Sequence, residues 1–449
     1  MAQITPSHRP SLDVTIVGSG INGLTTAYLL SFYPGIRVHI IDAESDPRIR
    51  SRSNSLSPTF GGKPGLNTVR HVTGTESLAP PAMPHWSPAE ILGIARKQGL
   101  IETPDKREFK ELTAHDELDR NVTSSSAHDH YHAEFNYAGL ELWACLTNPI
   151  LAESILHAGG ISVLHKTAEA VLADLQAERD FYIANRSDTI ASLWPLERLE
   201  VNVSVEDHYA ITVPGMAIDM RGMALRLIGE LSRRENVTFT FNKTVHEEPT
   251  NTDVTIWATN SVHSNPHQNL TGLLGFWTSV SNDETNFSFP FKLVADFPLG
   301  YLNLTPDANN RLQISGGLFR LNHTGLSAQL IMDKAREQFL KALKETLPNI
   351  QGVQALELDD VSGCVRPFAN HGLPALKFEG STIDISGGSK SGTTQAPFLA
   401  ATVMNYLDLN SHDAFEATWG NLDGIQLLGT AMYSARHLEV GLGQETISR

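Results

Sequence analysis

The sequence predicts an α/β protein. A Rossmann-like domain that binds a dinucleotide is joined to a second, mainly antiparallel-sheet domain that holds a substrate. Three observations predict this. Asp13–Asp42 (DVTIVGSGINGLTTAYLLSFYPGIRVHIID) carries a strand, a glycine-rich turn, a helix, a second strand and a terminal acid, in that order. A further strand–helix–strand passage lies within residues 208–258. From 270 to 320, apolar segments alternate with turn residues, the pattern of an antiparallel sheet.

Val14, Thr15, Ile16 and Val17 form a short β-branched run suited to a buried parallel strand. Gly18, Ser19, Gly20, Ile21, Asn22 and Gly23 follow as G-x-G-x-x-G. Gly18 permits a tight turn, Gly20 lets the backbone approach a pyrophosphate, and Gly23 lets helix and strand close up. Leu24–Leu30 reads as the helix whose free N–H groups and positive dipole end receive phosphate. Arg37–Ile41 reads as the second strand. Asp42, followed by Ala43, stands where a carboxylate accepts hydrogen bonds from a ribose diol. Glycines also occur in ordinary turns, but strand, helix and acid all stand in the places the motif requires.

The stretch after Asp42 is rich in Ser, Gly and Pro and reads as loop. Its Arg48, Arg50, Arg52, Lys63, Arg70 and His71 belong either to a solvated linker or to a basic surface facing the cofactor. Proline-rich residues 76–90 mark a crossing between domains. Pro88–Gly99 has the spacing of a short amphipathic helix. His128, His130 and His132 sit in a polar stretch, SSSAHDHYHAE, read as a solvated loop, with no metal site.

Tyr137–Gly159 reads as helical and largely buried, with a break or kink at Pro149. Ile161–Leu164, His208–Val213, Val237–Phe241 and Asp253–Ala258 read as strands, and Met220–Arg233 as an amphipathic helix. Asp307–Asn310 is turn chemistry between two strands. Ser327–Leu347 has a period near 3.6 and ends before Pro348. The strand IDIS, the loop Gly387–Pro397 and a helix Phe398–Leu407 follow. The cofactor domain is expected to be discontinuous, over residues 1–75, 140–165, 205–262 and 360–449. The substrate domain takes 76–139, 166–204 and 263–359.

At 449 residues the chain can build two cores. Its net charge of −16 argues against nucleic acid or an anionic membrane as the main partner. Only Cys145 and Cys364 are present, so no disulfide framework is implied and a reducing, cytoplasmic location is expected. No apolar core precedes Ser11, and no apolar run is long enough to span a bilayer. The sequons at Asn121, Asn202 and Asn303 are read as incidental.

The motifs at the two ends belong together. Gly18, Gly20, Gly23 and Asp42 at the start, and GGSKSGTTQAP (Gly387–Pro397) before the late helix, resemble the flavin-dependent D-amino acid oxidase superfamily. Its glycine oxidase, sarcosine oxidase and D-amino acid dehydrogenase branch is the most similar. TVRHVTG (Thr68–Gly74) resembles the segment that passes near the flavin, with Arg70 and His71 in matching places. GMAIDMR (Gly215–Arg221) resembles a G-x-hydrophobic-x-D segment before a helix, and WATN (Trp257–Asn260) an A-x-G turn with Asn260 in place of Gly. SGCVRPFANHGLP (Ser362–Pro374) resembles the late motif whose arginine grips the substrate carboxylate.

The resemblance implies FAD as cofactor. It implies contacts from Gly18, Ser19, Gly20, Ile21, Asn22, Gly23, Asp42, Ala43, Ser53, Arg70, Val245, Thr259, Gly388, Lys390, Gly392 and Thr393. Arg366 would bind the carboxylate with help from Tyr301, His71 would lie near the flavin, and Lys390 would stabilise negative charge on it. The implied reaction is oxidation of the C–N bond of an amino acid or secondary amine by hydride transfer to flavin N5. Oxygen or another acceptor would take the electrons. Gln313 stands where sarcosine-type oxidases carry a lysine, and Cys364 lies near the place where some relatives attach flavin. The competing readings are a flavin monooxygenase or halogenase, which would need a nicotinamide or reductase partner, and a flavin-binding protein without catalysis.

Overall fold

The structure is a computed structural model. It describes residues 11–49, 59, 64–68, 126–158, 160–184, 201–204, 208–259, 270–283, 285, 287–293, 297–299, 301–321, 326–369, 375–386 and 392–420. The expected helix at Pro88–Gly99 lies outside them, as do Ser53, Arg70, His71, Asn260, Gly388 and Lys390.

The chain builds three sheets. The first has six strands. From edge to edge they are Ala375–Glu379, Thr382–Ser386, Val254–Trp257, Leu12–Val17, Ile36–Ile41 and Val237–Thr240. All neighbours run parallel except the edge pair Ala375–Glu379 and Thr382–Ser386. The opening strand is central, with Ile16 opposite Ile40 on one side and Ile256 on the other. Both its faces are covered, which is why VTIV shows no polar alternation.

The helix Ile21–Leu30 is buried all round and packs against the helix Gly392–Tyr406. The second of these starts six residues earlier than Pro397 suggested. Proline fits the first turn of a helix, so sequence placed the start there. Here Pro397 sits inside the helix. Its missing N–H leaves the Thr393 carbonyl without the usual partner. Trp143 Nε1 donates to that carbonyl at 2.9 Å.

The second sheet has eight strands: Ser362–Ala369, Leu270–Ser281, Arg311–Leu321, Leu302–Pro306, Phe291–Leu293, Ile161–His165, His208–Val213 and Val201–Ser204. It is antiparallel except where Phe291–Leu293 meets Ile161–His165. Asp307–Asn310 makes the expected turn. Asp307 Oδ1 accepts from the N–H groups of Asn309 and Arg311, and Asn310 takes a left-handed φ of 56°. The helix Leu326–Thr346 lies on one face, where Phe339 and Leu343 pack on Leu274, Phe276 and Ile314. Three strands of this sheet, Ile161–His165, His208–Val213 and Ser362–Ala369, come from stretches that the sequence assigned to the cofactor domain.

A small sheet, Pro64–Thr68, Gly215–Asp219 and Ile155–His157, completes the described fold. Asp219 caps the helix Met220–Leu231 by accepting from Gly222 N at 2.9 Å, so this acid of GMAIDMR has a structural partner.

Two expectations need correction. The histidine-rich stretch is not a loop: Ser126–Ala144 is one helix, anchored by a buried C-terminal half that includes Phe135, Leu142 and Trp143. Tyr137–Gly159 breaks before Pro149 as expected but is not helical throughout. Asn148 accepts from the N–H groups of Ile150 and Leu151, Pro149 opens a separate short helix, and Ile155–His157 is a strand.

Candidate functional site

At the end of the central strand, Gly18 has φ +107°, a conformation that side chains rarely adopt. A Cβ there would lie 2.6 Å from the Ala258 carbonyl oxygen and 3.0 Å from Thr259 Cα. At Gly23 a Cβ would lie 2.1 Å from the Gly18 carbonyl oxygen. These two glycines are required by the chain's own packing. Gly20 differs: a Cβ there would meet only Thr59 Oγ1, at 3.7 Å.

Gly20 also heads the helix Ile21–Leu30, where Thr59 Oγ1 accepts from the Ile21 N–H at 3.2 Å and the first turn holds no acid. Asn22 is 1 % exposed, yet both ends of its amide lack a hydrogen-bond partner. Thr25 Oγ1 is also buried without one. Asp42 ends the second strand. One carboxylate oxygen accepts from Ser19 N–H (2.7 Å) and Ser19 Oγ–H (2.6 Å), the other from Glu44 N–H (2.8 Å). Being one methylene shorter than glutamate, Asp42 closes onto the turn itself.

Ala43 is exposed, Val245 is half-buried in the segment after Val237–Thr240, and Thr259 follows Ala258 beside Gly18. Gly392 and Thr393 begin their helix close to Pro64–Thr68. Thr394 Oγ1 donates to Asn67 Oδ1, and a Cβ on Gly65 would touch Thr393. Arg48 pairs with Asp46 and Ser232 at the surface, the linker role of the two open for it.

The second constellation lies on the large sheet, on the face turned away from the helix Leu326–Thr346. Arg366 extends from Ser362–Ala369 and is 5 % exposed. Its Nη1 donates to the Tyr301 hydroxyl at 2.8 Å, and its Nη2 is buried with no hydrogen-bond partner. Among the described residues no carboxylate pairs with it. Two strands separate Arg366 from Tyr301. The guanidinium crosses the first over Gly275, where a Cβ would lie 1.9 Å from Nη2. Burial works against the charge of Arg366, and the neighbouring Tyr301 and Cys364 side chains outweigh it, raising its pKa above an ordinary arginine's.

Cys364 is fully buried and stands opposite Gly275 in the sheet. Gln313 donates to Asp307 Oδ2 at 2.9 Å, a contact within the turn. Sequence reasoning did not single out Gly275 or Lys292. Lys292 is 1 % exposed, and its ammonium lies 4.9 Å from the Tyr301 ring centre.

The sequence model of the family described as FAD dependent oxidoreductase (DAO) matches residues 13–405. The chain belongs to this family. As an FAD dependent oxidoreductase it takes FAD, and the residues around Gly20 fit that group. A helix start with no acid in its first turn, open space at the Gly20 Cβ position and the orphaned amide of Asn22 are what a pyrophosphate would meet.

Solved structures of similar fold include glycine oxidase from Geobacillus kaustophilus (TM-score 0.52, 14 % identity, covering 88 % of this chain and 94 % of that one). Amadoriase I, a fructosyl amine:oxygen oxidoreductase from Aspergillus fumigatus, is also similar (TM-score 0.53, 12 % identity, 91 % and 89 % covered). So is L-amino acid deaminase from Proteus vulgaris (TM-score 0.50, 13 % identity, 91 % and 93 % covered). No curated protein sequence matches. Among the described residues no cluster of His, Cys, Asp and Glu could hold a metal ion, and no helix is long and apolar enough to cross a membrane.

Proposed function

We propose that this FAD dependent oxidoreductase oxidises the C–N bond of an amino acid or a secondary amine bearing a carboxylate. The supporting observation is Arg366, a buried guanidinium with one free donor arm and no carboxylate partner among the described residues. A buried charge without a counterion is costly, so a site of this kind is built for an anionic ligand. The guanidinium is a planar fork suited to a carboxylate. Because the Tyr301 oxygen accepts from Nη1, its own proton is free to be donated onward. A substrate carboxylate would take one hydrogen bond from Nη2 and one from Tyr301.

When bound, FAD supplies the hydride acceptor. The chain's part is to anchor, orient and exclude water. Gly18, Ser19, Gly20, Ile21, Asn22, Gly23, Thr259, Gly392 and Thr393 are proposed to hold the cofactor, with Asp42, Ala43 and Val245 toward its ribose end. Ser53, Arg70, His71, Gly388 and Lys390 keep in this proposal the cofactor-facing roles that the resemblance implies. Glycine oxidase and fructosyl amine:oxygen oxidoreductase, whose names state amine substrates, have the same fold.

The test is anaerobic mixing of the FAD-loaded protein with a panel of amino acids and secondary amines, without NAD(P)H. Bleaching of the flavin by a carboxylate-bearing amine is expected. Reduction by NAD(P)H alone would replace this reading with a monooxygenase.

Two further outcomes are expected. Cys364 is fully buried, so FAD should be held without a covalent bond: acid precipitation should leave a colourless pellet and a yellow supernatant. Gly275→Ala should act as a partial Arg366 knockout. Its Cβ would displace the guanidinium, and KM for carboxylate substrates should rise about tenfold or more, the equivalent of about 1.4 kcal/mol.

A further inference from the structure

We propose that the substrate carries a second carboxylate, received by Lys292 beside the Tyr301 ring. This rests on the reading of Arg366 as the site of the first.

The sheet register brings the groups together. Lys292 stands opposite Asn303, Asn303 opposite Ser315, and Ser315 opposite Trp277. Residues directly opposite share a face, so these four project to the same side. Tyr301, two residues before Asn303, projects there too, a diagonal neighbour within reach of a long side chain. Arg366 shares that side through its pairing with the strand of Gly275 and Trp277. Every one of these side chains is at least nine-tenths buried. A face of a β-sheet that bears an arginine, a lysine, an asparagine and a serine, all withdrawn from water, is not a hydrophobic core. It is a lining.

The two cations flank one phenol. Arg366 Nη1 meets its hydroxyl at 2.8 Å, and Lys292 Nζ lies 4.9 Å from its ring centre. An ammonium carries three donors and no acceptor, so a ring contact and another partner leave it able to bind an anion. Beside it, Asn303 Oδ1 has no hydrogen-bond partner, and Asn303 Nδ2 lies a long 3.5 Å from Ser315 Oγ. A half-turn of the amide would let Ser315 donate to the oxygen and would present the NH2 beside Lys292. Lys292 and Asn303 would then offer converging donors. A monocarboxylate satisfies Arg366 and Tyr301 and does not reach Lys292 and Asn303. An amino acid or N-substituted amine with a second carboxylate engages both ends.

The test is calorimetric binding to the FAD-loaded protein, using chain-matched acids that do not react: glutarate against valerate, and succinate against butyrate. Wild type should bind at least one diacid about tenfold or more tightly than its monoacid partner. Lys292→Met should erase that preference and leave monoacid binding in place; Lys292→Gln serves if the methionine variant does not fold. With glutamate and norvaline as substrates, Lys292→Met should raise KM for glutamate more than for norvaline. Equal binding of diacid and monoacid by wild type, or a preference that survives loss of the charge, overturns the proposal. If monoacids bind and Arg366→Ala abolishes that binding, the reading of Arg366 stands even when this one falls. If no carboxylate binds at all, both fall.

Discussion

Arg366→Ala is expected to retain FAD and to lose most of its catalytic efficiency toward carboxylate substrates. Removing one partner of a buried, charge-assisted contact costs about 2–5 kcal/mol. That corresponds to a fall in kcat/KM of roughly 30-fold to several thousand-fold. The flavin spectrum should persist, because Arg366 and the Gly18–Gly23 turn lie on different sheets. Arg366→Lys should recover only part of the loss, because an ammonium cannot reproduce the planar fork. Amines without a carboxylate should be changed far less. Near-normal kinetics with every carboxylate substrate would make Arg366 structural and reopen the substrate class. Loss of FAD from the variant would move Arg366 to the cofactor site.

The second large effect is expected at the glycine turn, where two substitutions should fail in different ways. Gly20→Leu should fold, because a Cβ at that position makes only an ordinary contact with Thr59. It should not bind FAD, because the longer side chain takes the space a pyrophosphate needs. The purified variant should show wild-type circular dichroism and no yellow colour, and added FAD should not restore it. Gly23→Ala should damage the fold instead. Its Cβ would sit 2.1 Å from the Gly18 carbonyl oxygen, so the helix must move off the strand. Overpacking of this kind costs about 1–3 kcal/mol, to be read as a lower unfolding midpoint in denaturant. A Gly20→Leu variant that keeps FAD would show that the pyrophosphate lies elsewhere.

Much of this was legible in sequence. The order of strand, G-x-G-x-x-G, helix and acid is local, and each part lies within a few residues of the next. Arg366 was singled out through its motif. Its partner geometry was not, because Gly275 lies 91 positions away in sequence and meets the guanidinium only through strand pairing. Lys292 was hidden by a general rule. In Phe291–Lys292–Leu293, alternation sends the lysine to the face opposite its apolar neighbours, normally the face that meets water. Here both faces of the sheet are covered, so the same alternation buries it. The helix start at Gly392 was obscured by Pro397, whose cost is met by Trp143 from another helix, a contact no local pattern encodes. The helix through the histidine-rich stretch is fixed by tertiary burial of its second half, and its polar first half carries no period of its own.

The strand order of the parallel sheet bears on how the molecule is made. Residues 12–17 lie between partners that arrive at 36–41 and at 254–257, and the latter strand is completed by 382–386. During synthesis the opening strand must therefore wait for more than half of the chain before its second neighbour exists. Such long-range closure is slow, and unpaired parallel strands are exposed to aggregation in the interval. The Gly18 turn meets Ala258 and Thr259 only once the strand at 254–257 has docked, so FAD should act as a late folding ligand, with yield rising as the free cofactor concentration exceeds its dissociation constant. Cells starved of riboflavin should accumulate the chain as insoluble protein, not as soluble apoenzyme.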